Sequence, residues 1–245
     1  KRETSISELK QVHEEISDLI NTYKEGKISR EGASVSLVGK PNVGKSSLLN
    51  ALLKEDRAIV TPLPGTTRDT LEEKIRIKDS HINIIDSAGL RNHPEIIEQE
   101  GIRRTRSAIE NSDLNLVIFD RSQPLDENDD LICNEVHNKP KLIIINKCDL
   151  QERWSIEDLK KKIKSNIFLI ISAKEQSGLD SLIDAIYSRT INQEKDGQSV
   201  FISRERHRLN LVQASASLEK TLASLGSQLS EEFVAIDLII AINHL

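Results

Sequence analysis

Apolar residues near the start of the chain recur at three- and four-residue steps: Ile6, Leu9, Val12, Ile16, Leu19 or Ile20, and Tyr23. That spacing lines one face of a helix, predicting a helix over 5–24 that Gly26 ends. From Ala33 the period changes. Ala33–Val38 reads as a short buried strand, followed by a glycine-containing loop and a helix over Lys45–Lys54. Further apolar runs suit strands at 70–77, 81–86, Leu114–Phe119, Leu142–Ile145 and Ile167–Ile171. Helical patterns at 94–111, 126–137, 155–164 and 178–190 separate most of them. Alternating strands and helices predict an α/β fold with a mainly parallel sheet covered on both faces. The runs at 70–77 and 81–86 lie too close for a crossover helix, so they should form a hairpin and make one edge strand antiparallel.

Residues 191–199 are polar and read as a linker. The helical period then returns in two stripes: Leu211, Ala214, Leu218, Leu222 and Leu225, then Leu229, Phe233, Ile236 and Ile240. A lone amphipathic helix cannot bury its stripe. The simplest solution packs the helix at 5–24 against the two C-terminal helices, with the α/β domain inserted between them. The expected domains are a helical part over 1–30, an α/β domain over 31–195, and the rest of the helical part over 196–245. The C-terminal stripe is read as helix packing rather than a partner groove.

Composition narrows the class without naming it. The 245 residues carry 34 Lys and Arg against 39 Asp and Glu, a net charge of −5 that offers no global basic footprint for nucleic acid. Aromatics are 3% of residues, too few for base-stacking platforms. No apolar run approaches the roughly 20 residues of a membrane span, and no signal peptide is evident, so a cytoplasmic protein is expected. Cys133 and Cys148 lack metal-ligand spacing and should stay reduced. The chain opens on Lys1 rather than Met, which suggests a fragment, and it contains no Met at all, which is odd for this length.

The chemistry sits at the strand ends. Residues 39–46 read Gly-Lys-Pro-Asn-Val-Gly-Lys-Ser, the G-x-x-x-x-G-K-[ST] phosphate-binding loop. Here Gly39 and Gly44 let the backbone curl, so that N–H groups over Asn42, Val43, Gly44, Lys45, Ser46 and Ser47 face the phosphates at a helix N-terminus. Lys45 should reach the β- and γ-phosphates, and Ser46 should ligate Mg²⁺. Forty residues later, Asp86-Ser-Ala-Gly89 closes a strand: the Asp86 carboxylate would hold Mg²⁺ through water, and the Gly89 N–H would bond the γ-phosphate. Gly65-Thr-Thr-Arg-Asp69 lies where a first switch loop belongs, with a Thr hydroxyl available to Mg²⁺.

Asn146-Lys-Cys-Asp149 follows the strand at 142–145. Asp149 can accept from guanine N1–H and N2–H₂, a donor pair adenine lacks. The stem of Lys147 would cover the base, Asn146 would tie loops together, and Ser172-Ala173-Lys174 would bring a backbone N–H to guanine O6. The set points to a GTP-binding hydrolase. After Gly89 comes Leu90, where many small GTPases place a water-orienting Gln, and no arginine finger stands out beyond Arg68 or Arg91. Intrinsic hydrolysis should therefore be slow unless another group orients water and another positive charge neutralises the transition state. Two bland readings complete the survey: Lys160-Lys-Lys-Ile-Lys164 as a solvated helix face, and Trp154 as a packing residue near a helix start.

These residues carry a resemblance. The motifs at Gly39, Gly65 and Asp86-Ser-Ala-Gly-Leu-Arg91 are similar to those of the bacterial GTPases related to Era, Der and MnmE. The helical flanks, Arg30-Glu-Gly32 before the first strand, and Glu95-Ile-Ile-Glu-Gln-Glu-Gly-Ile102 resemble the MnmE (TrmE) family, the tRNA-modification GTPases. That resemblance implies hydrolysis when two GTPase domains dimerise around bound K⁺. It implies Asn42, Thr61, Leu63 and Thr66 as K⁺ ligands, Thr67 facing Mg²⁺, and Glu98 orienting the attacking water. It further implies the flavoprotein MnmG as partner in modifying the wobble uridine (U34) of certain tRNAs, and a folate-binding domain and Cys-containing tail that no residue here supplies. The alternatives are an Era- or Der-like ribosome-assembly GTPase, and a GTP-dependent binding switch whose hydrolysis is incidental. No Gly-x-x-Gly RNA-binding loop follows residue 199, and no second phosphate loop is present.

Overall fold

The computed structural model describes residues 2–54, 72–78, 80–86, 98–164, 167–191, 201–227 and 231–245. The chain divides into two compact units: Gly32–Gln193, and Lys1–Glu31 together with Glu194–Leu245.

In the α/β unit the strands are β1 (Ala33–Val38), β2 (Glu72–Ile77), β3 (Ser80–Asp86), β4 (Leu114–Asp120), β5 (Lys141–Asn146) and β6 (Phe168–Ile170). They form one sheet in the order β2-β3-β1-β4-β5-β6. All neighbours are parallel except the hairpin β2–β3, which makes β2 an antiparallel edge. Its helices are α3 (Lys45–Lys54), α4 (Glu98–Asn111), α5 (Glu127–Glu135), α6 (Ile156–Lys162) and α7 (Leu179–Thr190). The predicted fold class is therefore the observed one, with strand limits moved by one or two residues.

Strand periodicity decides which helix covers which face. Val35 and Leu37, Leu116 and Ile118, and Leu142 and Ile144 point to one side, where Leu48 and Leu52 of α3 and Leu182 and Ile186 of α7 meet them. The alternate residues Val38, Val117, Phe119, Ile143 and Ile145 meet Ile109 of α4, Cys133 of α5 and Leu159 of α6 on the other. The β1 and β4 connections thus leave toward opposite faces, and a crevice opens between their C-terminal ends, where open α/β sheets bind ligands.

Two of the helices start on capping boxes: Asp126 with Asp129 for α5, and Ser155 with Asp158 for α6. Trp154 packs as predicted, its ring edge-on to Phe119 at 6.5 Å. The basic run on α6 is a charge-paired surface: Lys160 meets Glu157 at 3.1 Å, Lys161 meets Asp158 at 3.3 Å, and Lys162 meets Asp130.

The helical unit corrects three expectations. Gly26 does not end a helix. α1 (Arg2–Asn21) is followed directly by α2 (Tyr23–Glu31), which runs through Gly26. The glycine is there for space, because a Cβ would sit 2.3 Å from Ile202 O and 2.8 Å from Phe201 Cδ2. Gly26→Ala is expected to destabilise this unit by about 1–3 kcal/mol despite alanine's better helix propensity, since backbone has to move. Urea unfolding followed by circular dichroism checks it, with GDP affinity expected to stay unchanged.

Second, Val12 is exposed. His13 instead turns toward α8 (Glu205–Gly226), its Nε2 lying 3.0 Å from Ser215 Oγ. Third, α9 (Glu231–Asn243) buries Ala241 and part of Leu238 against this bundle, with Ile16 and Leu218, while Ile236 and Ile240 stay 55% and 41% exposed. The sequence of α9 is apolar around most of its circumference, so a three-four stripe drawn through it does not select a face. The small Ala241 does, by allowing close approach. No described helix is long and apolar enough to cross a membrane.

Candidate functional site

The parallel strands deliver their polar sequels to one edge of the sheet. β1 runs into the loop 39–44; Leu37 pairs with Asp86 at the end of β3, and Asp120 at the end of β4 pairs with Asn146 at the end of β5. Between them lies a cleft of about 590 Å³, lined by residues that include Lys40, Asn42, Val43, Asp120, Asp126 and Lys147.

In the loop after β1, Asn42 adopts φ 64° and Gly44 φ 100°. Asn tolerates this left-handed conformation, and glycine has no side-chain penalty there. The loop opens directly into α3, so it adjoins the N-terminus of that helix, where unpaired backbone N–H groups favour an anion. Lys45 is buried, and its Nζ donates to Gly39 O and Lys40 O, both at 2.7 Å. Ser46 is half-buried and Ser47 exposed on the first turn of α3.

Lys40 anchors this loop to α5. Its Nζ lies 2.8 Å from Asp126 Oδ2 and 2.7 Å from Asp129 Oδ2. Burial opposes the charge on Lys40, but the bonds to both carboxylates win and raise its pKa.

The guanine-type motif is wired to the same loop. Asn146 is buried; its Nδ2 donates to Val43 O at 2.8 Å, its Oδ1 accepts from Ala173 N at 3.0 Å, and its carbonyl accepts from Arg121 N at 3.0 Å. One carboxamide therefore joins the loops after β1 and β6, satisfied on both sides. Asp149 is exposed, and its Oδ1 accepts from Ser172 Oγ at 2.6 Å. That bond is the main reason its carboxyl is held below the ordinary range. Ser172 in turn accepts from Glu175 N at 3.1 Å and pairs through its backbone with Ser177. Lys174 is exposed beside Glu175.

Lys147 takes φ 64°, and its Nζ lies 2.6 Å from Asp120 Oδ2. Burial pushes the Asp120 carboxyl up, yet the bonds from Lys147 and Ser122 outweigh it and the pKa is lowered.

Of the other predicted residues, Asp86 is the last residue of β3 and Glu98 the first of α4. Thr61, Leu63, Thr66, Thr67 and Gly89 lie outside the described residues. Motif reading missed Lys40, Asp120, Ser122, Asp126 and Asp129. Asp126-x-x-Asp129 had a visible capping signature; Asp120 and Lys40 had none, because their partners are distant in sequence.

Among the described residues, no group of three or more His, Cys, Asp or Glu side chains could hold a metal ion. The metal donors predicted from the sequence, the Ser46 hydroxyl and the Asp86 carboxylate, are hard oxygens, few in number. That suits Mg²⁺, which keeps waters and shares its shell with substrate phosphates. The whole constellation offers an anion cradle wired to a carboxylate acceptor for a base.

Comparison with known proteins agrees with this geometry. A family model described as 50S ribosome-binding GTPase matches residues 34–147. The chain is 40% identical over 232 residues to the tRNA modification GTPase MnmE of Natranaerobius thermophilus, covering 94% of this chain and 51% of that protein. It is 38% identical over 245 residues to MnmE of Carboxydothermus hydrogenoformans, covering 99% and 53%. The chain thus spans about half the length of the curated relatives it matches. Among solved structures it is similar in fold to an Aquifex aeolicus Era variant bound to GDP·AlF4⁻, with TM-score 0.50 and 24% identity over 76% of this chain and 66% of that one.

Proposed function

We propose, for a chain that belongs to the MnmE family of GTPases, that residues 31–195 form a Mg²⁺-dependent GTP-hydrolysing domain set in a helical domain of 1–30 and 196–245. The observation that carries the reading is Asn146, which bonds the phosphate-type loop and the guanine-type loops at once and so makes them one site. The loop amides and Lys45 bind the phosphates. Ser46, Thr67 and, through water, Asp86 hold Mg²⁺, which neutralises charge on the phosphates. Gly89 contacts the γ-phosphate, and Asp149 and Ala173 read guanine, flanked by Lys147, Ser172 and Lys174.

Two of these domains dimerise, with K⁺ held by Asn42, Thr61, Leu63 and Thr66 supplying positive charge. Glu98 orients the attacking water, taking the role that Leu90 cannot perform. The exposed Asn42, held at the tip of the loop in a left-handed conformation, supports its part as an ion ligand. The complete protein acts in the cytoplasm with MnmG in modifying U34 of certain tRNAs. Free Cys133 and Cys148 suit that reducing compartment.

GTP turnover against protein concentration, in KCl and in NaCl, tests the mechanism. Wild type is expected to accelerate with concentration in KCl only. Asn42→Ala and Glu98→Ala are each expected to fall by roughly 10²-fold. Turnover that stays slow and indifferent to ion and concentration would leave a GTP-binding switch instead.

A further inference from the structure

The geometry points to Asp120 as a positioning residue for nucleotide affinity, acting through Lys147; this rests on the guanine reading given above. Asp120 ends β4 beside the crevice and is only 7% exposed. Its two carboxylate oxygens have separate duties. Oδ1 accepts from Ser122 N at 2.8 Å and Ser122 Oγ at 2.6 Å, which fixes the carboxylate plane. Oδ2 faces Lys147 Nζ at 2.6 Å.

The main chain of Asp120 is held as firmly. Its carbonyl accepts from Trp154 Nε1 at 2.9 Å, and its Cα is in register with Asn146, the residue before Lys147. The bonds from Ser122 and Trp154 thus fix where the second carboxylate oxygen of Asp120 sits, and that oxygen holds one ammonium.

Lys147 needs such an anchor. Its stem has four methylenes and many rotamers, and covering a base face with it costs the freedom of all of them. The Asp120 ion pair takes that freedom away before any nucleotide arrives, so the cost falls on folding rather than binding. Asp120, Lys147 and Asn42 line the same cleft. Purine contact then comes from a surface already in place. This assigns Asp120 to affinity, with no contact to the reacting atoms.

The test is mant-GDP affinity and steady-state GTPase activity of the full chain for Asp120→Asn, Lys147→Met and the double variant. Asp120→Asn keeps the shape and removes the charge. GDP affinity is expected to weaken roughly tenfold and KM to rise in step, with kcat at saturating GTP within about twofold of wild type. In the Lys147→Met background, adding Asp120→Asn is expected to change affinity by less than about twofold, because its effect runs through the missing lysine. A purely structural role would instead lower the melting temperature and leave KM alone, and that result overturns the proposal. So does a fall in kcat at unchanged KM, or additive losses in the double variant. A wild-type chain that binds no GDP would overturn the nucleotide reading itself, a different failure from a variant that binds as well as wild type.

Discussion

Gly44→Ala is expected to abolish nucleotide binding and to cost the α/β unit about 2–4 kcal/mol of stability. Two physical terms combine. The backbone at Gly44 has φ 100°, outside what an L side chain adopts without strain. A Cβ there would also stand 2.2 Å from Asn146 Nδ2. Asn146 has no free direction of escape, because it is buried and bonded at both ends of its amide, to Val43 O and Ala173 N. Moving it away strands a buried carbonyl on one side and a buried N–H on the other. The methyl group thus opens the phosphate-type loop and detaches the guanine-type loops in one step. GDP titration and urea unfolding of Gly44→Ala measure the two losses, and a variant that binds GDP like wild type would refute the wiring. Gly226→Ala is the matched control: nothing lies within 4 Å of its added Cβ, so it should bind GDP unchanged.

That wiring marks the limit of what motifs convey. The strands and the antiparallel edge were legible because the central strands are runs rich in Val, Ile and Leu, because β2 and β3 alternate Ile with polar residues, and because the 70–77 and 81–86 runs leave no room for a crossover. The phosphate-type loop was legible because its glycines and lysine have fixed spacing. Lys40 was not. Its partners Asp126 and Asp129 lie more than eighty residues away, and only the sheet order brings α5 against the loop. The same holds for Asp120 and Lys147, which meet because β4 and β5 are neighbours. In the helical unit the failure has another cause. Gly26 read as a stop because glycine is the commonest terminator, yet in this chain it makes room for the backbone of Ile202. α9 carried apolar residues in nearly every direction, so periodicity had no contrast to detect.

Asp149→Asn is expected to lower GTP affinity by about 10²–10³-fold and to raise affinity for xanthosine triphosphate. Guanine presents two adjacent donors, N1–H and the N2 amine, and a carboxylate accepts both. An asparagine offers one acceptor and one donor, so the second contact with guanine becomes donor against donor. Xanthine replaces the N2 amine by a carbonyl and restores the match. Asp149 and Ser172 lie on different loops, and the 2.6 Å bond from Ser172 Oγ fixes the carboxylate and favours its ionised form. Because the pKa is lowered, the charged acceptor persists throughout the neutral range. Guanine binding should therefore be flat there and be lost only as pH falls through the depressed value. Removing the hydroxyl with Ser172→Ala lets the carboxyl return toward its ordinary range, so the acid limb of GDP binding should move to higher pH. Titrations of GTP and xanthosine triphosphate against both variants, repeated down the acid side, decide the matter. An unchanged nucleotide preference in Asp149→Asn would remove that carboxylate from base recognition. An acid limb unmoved by Ser172→Ala would show that the hydroxyl orients Asp149 without tuning its charge.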